Sequence, residues 1–401
     1  MRAELGWTLD PAVTYLNHGS FGACPADVLA VQREWRDRLE REPVTFLDRE
    51  LEGHLDHARD AFGAFLGADP EGLAFVPNAT TASNAVLRSL RFEPGDELLT
   101  SDHEYNATLN TIRNAADRDG ARMVIAALPF PTSGDEEILE AILAAVTPRT
   151  RLAILSHVMS PTGLVLPIER IVRELETRGI DTLVDGAHAP GMVPLTLDAL
   201  GAAYYTGNGH KWLCGPKGAA FLWVRADRRE RIHPTTVSHG ANATRTDRPR
   251  FRLEFDWVGT GDPTAALALP AAIDWMAGLE PGGWPAVMAA NHALALEARD
   301  RLTALVGSDA PAPDELVGSM AAVPIPGLWT DQDAAWLHEA LYDDDRIEVP
   351  IVPFPVPAAR PSPTDPPRAV LVRVSAQRYN DSGDIDRLVT ALGQRLTALP
   401  A

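Results

Sequence analysis

The chain has 401 residues, of which 45% are apolar and 23% charged, and its formal net charge is −19 at pH 7. This length predicts two domains, or one large α/β domain with a smaller one appended, and the apolar content is enough for a substantial core. The acidic balance argues against a nucleic-acid-binding surface, which carries a basic face.

The cysteine content and the lengths of the apolar segments indicate the cellular compartment in which the protein is expected. Two cysteines, Cys24 and Cys214, fit neither a disulfide framework nor a zinc cluster, so a reduced, cytoplasmic setting is predicted. Residues 1–10 lack the apolar segment of a signal peptide, and no apolar run approaches the ~20 residues of a membrane helix. His54 and His57 are spaced i, i+3 without a third ligand nearby, so we predict no metal site.

Three parts are predicted along the chain: an irregular N-terminal segment (1–25), a large cofactor-binding domain (26–262) and a small α+β C-terminal domain (263–401). The turn-forming stretch at Asn17 is either a plain loop or a loop that touches substrate, which makes Asn17 a candidate substrate-binding residue. From Ala26 to Leu66 the apolar spacing is helical.

Strands and helices alternate in the large domain. The stretch 73–85 is predicted to be a strand, a turn and a helix in that order. Further strands are predicted at 97–101, 123–128, 151–157, 181–185, 203–206 and 219–224, with helical periods at 136–146 and 168–178. This alternation predicts a mostly parallel sheet covered on both faces, with ligands beyond the carboxyl ends of its strands. Four side chains with possible chemistry fall at or just after predicted strand ends: His103, Ser160, Asp185 and Lys211. We therefore expect one shared site.

A glycine-broken loop, Gly209-His210-Lys211-Trp212, carries the most informative residue. A desolvated lysine near other cationic groups loses its proton readily and can form a Schiff base. An apolar strand ends at Asp185 earlier in the chain. Pyridoxal phosphate (PLP) needs a lysine for its aldehyde and an acid beside its ring nitrogen. The pair predicts a PLP site, whereas a dinucleotide loop is not predicted because the third glycine is missing.

The stretch Asn78-Ala79-Thr80 follows a predicted strand and begins a helix. Backbone N–H groups and hydroxyl donors at a helix start bind anions, although Asn and Thr are also ordinary N-cap residues. Together with Lys211 the pattern favours a phosphate site.

Beyond residue 262 the pattern changes to alanine- and leucine-rich helices at 264–279 and 284–306. Eight prolines between 350 and 367 predict an extended loop, of a length often used for lids. The strand that follows, 369–375, places its valines on one face and Arg373 on the other. The guanidinium fork of Arg373 fits a carboxylate.

These motifs together resemble the class V aminotransferase family of fold-type I PLP enzymes, and within it the isopenicillin N epimerase-like branch, which is related to cysteine desulfurases. The resemblance covers the chain from about Tyr15 to Asn380. It implies a fold-type I α/β architecture, with a mostly parallel sheet in the large domain, and a homodimer with shared sites. It also implies a small amino-acid-type substrate and pyridoxal 5'-phosphate as cofactor.

The resemblance also implies roles for single residues. Lys211 is similar to the lysine that binds the cofactor aldehyde, Asp185 to the partner of the ring nitrogen, and His103 to the histidine that stacks on the ring. Further cofactor contacts are implied at Asn78, Ala79, Thr80, Ser160, His188 (to the ring oxygen), Asn208, His210 and Thr260 (to the phosphate of the neighbouring subunit). Arg373 matches the arginine that binds the substrate α-carboxylate.

Two departures from the cysteine desulfurases stand out. Those enzymes carry a nucleophilic cysteine on a loop shortly before the arginine, and no cysteine occurs here between Pro350 and Arg373. Ser160 stands where they usually have asparagine. Cys214 is interpreted as a packing residue, so a persulfide-forming desulfurase is not expected.

Removal of a substrate α-proton by Lys211 leaves three reactions open. Return of a proton on the opposite face gives an epimerase, and it needs a second acid, for which Tyr105, His239 and a water are candidates. Loss of a β-substituent gives a C–S lyase, and protonation of the cofactor gives an aminotransferase. The epimerase-like reaction is favoured, and a non-catalytic PLP-binding protein is the interpretation from a different class. His239 is also a candidate substrate contact, on a loop expected to line the side-chain pocket.

Overall fold

A computed structural model describes residues 6–397. In this part of the chain, strands form three sheets. The strands are β1 (Thr14–Tyr15), β2 (Leu73–Val76), β3 (Glu97–Ser101), β4 (Arg122–Ala126), β5 (Thr150–Ser156), β6 (Asp181–Gly186), β7 (Tyr204–Asn208), β8 (Ala220–Val224), β9 (Met320–Pro324), β10 (Ile347–Glu348), β11 (Ile351–Phe354) and β12 (Ala369–Ser375).

The largest sheet has seven strands in the order β2-β8-β7-β6-β5-β3-β4. Strand β8 pairs antiparallel with β2 and β7, and all other pairings are parallel. The predicted mostly parallel α/β sheet is therefore confirmed. Strands β3 and β12 have the predicted bounds, and β4 to β8 differ from the predicted bounds by one or two residues at one or both ends.

The described residues contain helices that cover both faces of this sheet and helices that pack against a second, smaller sheet. They are α1 (Ala26–Arg41), α2 (Leu51–Leu66), α3 (Ala79–Ser89), α4 (Asn106–Asp119), α5 (Asp135–Ala144), α6 (Ile168–Glu176), α7 (Leu197–Leu200), α8 (Arg250–Phe255), α9 (Thr264–Leu267), α10 (Leu269–Ala277), α11 (Gly283–Val306), α12 (Asp331–Asp345) and α13 (Ser382–Thr397). Successive strand residues enter opposite cores, since Leu183 packs in one cluster and Val184 in the other. This alternation is the period-two geometry of a strand buried on both faces.

The helical pattern over 26–66 is not one continuous helix. Helix α1 ends at Arg41, and a π-helical turn, Thr45–Glu50, leads into α2. The break falls beside Pro43, which has no N–H to donate into a continuous helix. Helix α10 packs against α1 and α2. The predicted division at residues 262/263 stays a prediction.

A second sheet, β11-β12-β9, is antiparallel. The proline-rich segment was expected to be a loop throughout, but Ile351–Phe354 forms the edge strand β11. Pro353 is tolerated there because an edge strand has one side without ladder hydrogen bonds. The N-terminal segment was expected to be irregular, yet Thr14 and Tyr15 pair with β10, and Asn17 bridges to Ser375. No helix in the described residues is long and apolar enough to span a membrane.

Candidate active site

A cavity of about 240 Å³ lies at the carboxyl ends of β5, β6 and β7. It is where a parallel sheet of this kind binds ligands. Its lining residues are Ser20, Phe21, Gly22, Asn78, Ala79, Thr80, Tyr105, Ser156, Val158, Ser160, Asp185, Ala187, His188, Asn208, His210, Lys211 and Lys217.

Lys211 lies three residues after the end of β7, and its backbone is held from the N-terminal segment. The His18 Nε2 atom lies 2.9 Å from the Lys211 carbonyl oxygen, and His18 Nδ1 lies 2.8 Å from the Tyr379 hydroxyl. Only glycine fits at position 22, since a Cβ there would lie 2.6 Å from the His210 carbonyl oxygen. Burial first, and the charge of Arg373 second, lower the pKa of Lys211 to about 7. The amine is thereby prepared to act as a nucleophile or base near neutral pH.

Asp185 is buried near the end of β6 and accepts two hydrogen bonds. Its Oδ2 accepts from the Thr108 hydroxyl at 3.0 Å and its Oδ1 from the Ala187 N–H at 3.0 Å. These bonds fix the carboxylate plane, and α4 supplies Thr108 because it starts beside the same strand ends. Burial raises the pKa of Asp185. A buried acid of this kind gains from a cationic partner.

His188 lies between Lys211 and Trp212. Its Nε2 is 3.2 Å from the Lys211 Nζ, and its Nδ1 accepts from the Trp212 indole N–H at 3.3 Å. Burial, followed by the charges of Lys211, Arg373 and His18, holds the pKa of His188 well below its usual value. The imidazole is therefore neutral.

The start of α3 forms another wall. Asn78 caps the helix through its Oδ1, which accepts from the Thr81 N–H at 2.8 Å. The Ala79 N–H donates to the Asn208 Oδ1 at 3.0 Å, so Asn208 ties the helix to the end of β7. His210 donates its Nδ1–H to the Ala219 carbonyl at 2.9 Å, and burial lowers its pKa to about 4. This wall gathers amide, hydroxyl and imidazole groups that suit an anion.

Arg373 is 4% exposed in the central strand β12. Its guanidinium donates to the Ser20 hydroxyl at 2.8 Å, to the Ser160 hydroxyl at 3.3 Å and to the Ser160 carbonyl. Within residues 6–397 none of its hydrogen-bond partners is a carboxylate, and its Nε is buried without a partner. Burial lowers the pKa of Arg373 to about 10. A buried, aligned guanidinium without an acid is suited to bind an external carboxylate.

His103 is not among the residues that line the cavity, and its predicted stacking on the cofactor ring stays a prediction. His103 is fully buried, packs edge-on against Phe130 and Phe354, and lies 3.0 Å from the Thr162 hydroxyl. Tyr105 lines the cavity instead and is 48% exposed. The chain turns into α4 directly after β3, and this turn directs the second residue after His103 toward the site.

Four other predicted residues also do not line this cavity: Asn17, His239, Thr260 and Arg373, of which Arg373 contacts the lining residues Ser20 and Ser160. Asn17 donates to the Glu348 Oε1 at 2.7 Å. Ser20, from the same loop, contacts Arg373 instead of Asn17. His239 lines a separate cavity of about 710 Å³ together with Trp257. Thr260 is exposed on the loop before α9.

Several residues that build the site gave no usable motif in the sequence. They are His18, Ser20, Glu104, Thr108, Ser156 and Lys217. His18 and Ser20 belong to the Asn17 loop, whose turn-forming composition did signal a possible site. Glu104 and Thr108 flank Tyr105, and only the contacts of the folded chain distinguish them from surface residues.

The donor set fits pyridoxal phosphate. One cavity offers an amine for the aldehyde (Lys211), a buried carboxylate for the ring nitrogen (Asp185) and a helix start for the phosphate (Asn78, Thr80). Arg373 adds a guanidinium beside the cavity, since it contacts the lining residues Ser20 and Ser160.

Comparison with known proteins agrees with this geometry. The family described as Aminotransferase class-V matches residues 34–388. The chain therefore belongs to the class V aminotransferase family. It is a PLP enzyme of fold type I, as the sequence predicted.

Relatives within the family differ in reaction. The chain is 38% identical over 398 residues to the isopenicillin N epimerase of Streptomyces clavuligerus, covering 96% of this chain and 95% of that protein. It is 30% identical over 405 residues to a probable chloroplastic L-cysteine desulfhydrase of Arabidopsis thaliana, covering 96% and 83%. The cysteine desulfurase CsdA of Escherichia coli shares the fold with a TM-score of 0.79 at 20% identity, covering 100% and 98%.

Proposed function

We propose that this enzyme inverts the α-carbon of an amino-acid-type substrate, as an isopenicillin N epimerase-like enzyme. The observation that carries the proposal is one cavity lined by Lys211, Ser20 and Ser160. The guanidinium of Arg373 contacts both serines, so an amine and a carboxylate-binding group lie at the same cavity. Arg373 would bind the substrate α-carboxylate there, and Lys211, which lines the same cavity, would exchange the α-proton. The 38% identity to an epimerase supports this reaction.

When bound, PLP stabilises negative charge at the substrate α-carbon. The chain supplies the rest. Asp185 would present its fixed carboxylate to the ring nitrogen, and His188 would donate to the ring oxygen. Asn78, Thr80, Asn208 and His210 would hold the phosphate. Lys211, whose pKa is lowered to about 7, removes or returns the α-proton on its own side of the substrate.

Inversion needs a second group that moves a proton from the other side. Of the candidates in the sequence, Tyr105 lines the cavity and His239 does not. We therefore assign the second proton exchange to the Tyr105 hydroxyl, and the Tyr105 ring would form part of the wall that holds the cofactor.

A C–S lyase acting on a cysteine-derived substrate is the second candidate, because plant L-cysteine desulfhydrases are relatives. A persulfide route through a protein thiol has no support, since Cys24 and Cys214 are buried and neither lines the cavity. A lyase would need only the Lys211 side of the site. An aminotransferase would also use that side alone.

Proton NMR in D₂O separates these reactions. The PLP-loaded enzyme is incubated with L-amino acids, with peptides bearing a terminal α-amino acid, and with cysteine conjugates. Loss of the α-proton signal with both configurations recovered supports the epimerase. Pyruvate, ammonia or a released thiol would establish the lyase and overturn the proposal, and conversion of an added 2-oxo acid would establish an aminotransferase.

We further propose a cytoplasmic homodimer. Val44 and Val237 are exposed apolar residues, and the 710 Å³ cavity is lined by Val44, Leu47 and Trp257. A second copy covering this surface would bring its Thr260 and His239 toward the neighbouring site. Sedimentation of the enzyme at micromolar concentration is expected to give twice the chain mass of 43.3 kDa, and a monomer would contradict the dimer.

A further inference from the structure

Trp212 and His188 are joined by a hydrogen bond whose direction is fixed by chemistry. The indole Nε1 carries a hydrogen and has no acceptor lone pair, so it can only donate. It lies 3.3 Å from the His188 Nδ1, and both side chains are buried. The His188 Nδ1 must therefore be unprotonated, and the neutral ring carries its hydrogen on Nε2.

The surroundings of His188 keep the ring neutral. The charged or titratable groups that act on it are Lys211, Arg373 and His18, and each disfavours an imidazolium. With Nδ1 occupied by Trp212, the one remaining tautomer directs an N–H at the Lys211 Nζ, 3.2 Å away.

This N–H discriminates between the two forms of Lys211. An ammonium group has three donors and no acceptor, so it opposes the Nε2–H, whereas a free amine accepts from it. The same His188 Nε2–H could donate to an oxygen of the cofactor when the Lys211 amine is bound to the cofactor. A donor fixed in advance costs no reorganisation when the ligand binds.

We propose that Trp212 is a positioning residue that locks His188 in the Nε2–H tautomer and thereby holds Lys211 as a free amine and the cofactor's ring oxygen as an anion. The inference rests on the proposed function only for the identity of that oxygen. The tautomer and the state of Lys211 can be measured in the cofactor-free protein, whatever reaction the enzyme catalyses.

The first test is ¹⁵N NMR of histidine-labelled protein without cofactor, with the His188 signals identified by their loss in His188→Gln. We expect an unprotonated Nδ1 and a protonated Nε2. In Trp212→Phe, which keeps an aromatic ring but removes the donor, we expect a mixture of tautomers. A proton on Nδ1 in the wild-type protein would overturn the proposal.

The second test follows the pKa of Lys211 by NMR of labelled lysine in the same proteins. Trp212→Phe is expected to strengthen proton binding by Lys211 about two- to tenfold, the effect of one net hydrogen bond. Trp284→Phe is the matched control, since it removes an indole bond to the Ile273 carbonyl outside the cavity. An unchanged Lys211 pKa in Trp212→Phe would refute the proposal.

If Trp212→Phe does not fold, the variants His188→Gln and His188→Leu test the same hydrogen bond. Glutamine offers an acceptor for the indole and a donor for Lys211, so its Lys211 pKa is expected to stay near the wild-type value. His188→Leu offers neither and is expected to raise it. Equal pKa values of Lys211 in the two variants would contradict a role for the directed N–H.

Discussion

Ser156 donates two hydrogen bonds to Glu104, from its backbone N–H at 2.8 Å and from its hydroxyl at 2.5 Å. Ser156 is also the register partner of Asp185 in the neighbouring strand. The fully buried Glu104 is therefore fixed beside the acid of the candidate active site. Burial first, and the charge of Asp185 second, raise the pKa of Glu104 to about 8.

Glu104 is expected to make stability fall as pH rises from about 5 to 8. The folded protein keeps a proton on Glu104 in this window, whereas the unfolded chain, with an ordinary pKa near 4.5, has released it. One such proton changes the free energy of unfolding by at most about 1.4 kcal/mol per pH unit. Glu104→Gln is expected to flatten the dependence in urea unfolding of the cofactor-free protein.

Glu97→Gln is the control for that measurement. Glu97 is also buried, but its bonds to Thr147 and Arg122 lower its pKa, so it titrates below the window. Its removal is expected to leave the slope between pH 5 and 8 unchanged. Parallel curves for the wild type and Glu104→Gln would contradict the assignment.

Cofactor capture by the cofactor-free protein is expected to depend on the ionisation of Lys211. With a pKa of about 7, the reactive free amine rises from about a tenth at pH 6 to about nine-tenths at pH 8. Arg373→Gln removes a charge that lowers this pKa, so the midpoint of the capture rate is expected to move to higher pH. Arg368→Gln, outside the cavity, is the control, and equal midpoints would contradict the coupling.

Replacement of Lys211 by alanine is expected to abolish turnover. Loss of a positioned acid–base group alone costs about 10²- to 10⁴-fold in rate. Borohydride reduction and mass spectrometry report the covalent link, which is expected on the Lys211 peptide of the wild type and absent from the variant. Normal activity of Lys211→Ala would refute its assignment as the base.

Arg373→Lys is expected to raise KM for the substrate about ten- to hundredfold, because the charge stays but the two-pronged hydrogen bonding is lost. Ser20→Ala removes one orienting bond and is expected to have a smaller effect in the same direction. The substrate α-amide is the comparison compound: wild type should discriminate against it and Arg373→Lys much less. Equal discrimination by both would place the carboxylate elsewhere.

Tyr105→Phe is expected to separate proton exchange from inversion. Lys211 still exchanges the α-proton on its own side, whereas inversion falls by about 10²- to 10⁴-fold without the hydroxyl. NMR in D₂O then shows deuterium incorporation with retained configuration. Tyr105→Ala additionally loses the ring and is expected to weaken cofactor retention about two- to tenfold. Unchanged inversion in Tyr105→Phe would assign the second proton to another group.

Local patterns predicted the sheet and the chemical core of the site. Strand β3 could be placed from its apolar run, and Lys211 and Asp185 from their position at strand ends, because parallel strands bring their carboxyl ends to one edge. Arg373 was recognised by its position opposite the valines of β12, a period-two property of the sequence alone.

Contacts between distant segments decided the rest. His103 and Tyr105 are two residues apart, and the sequence does not show which one faces the cavity, since this depends on how Phe130 and Phe354 pack against the turn after β3. The lowered pKa of Lys211 likewise comes from burial and from Arg373, a residue far along the chain. The sequence by itself determined the central groups of the site, Lys211 and Asp185. The tertiary structure determined which other residues join them, and how all of them are oriented and ionised, because these properties depend on neighbours that only folding brings together.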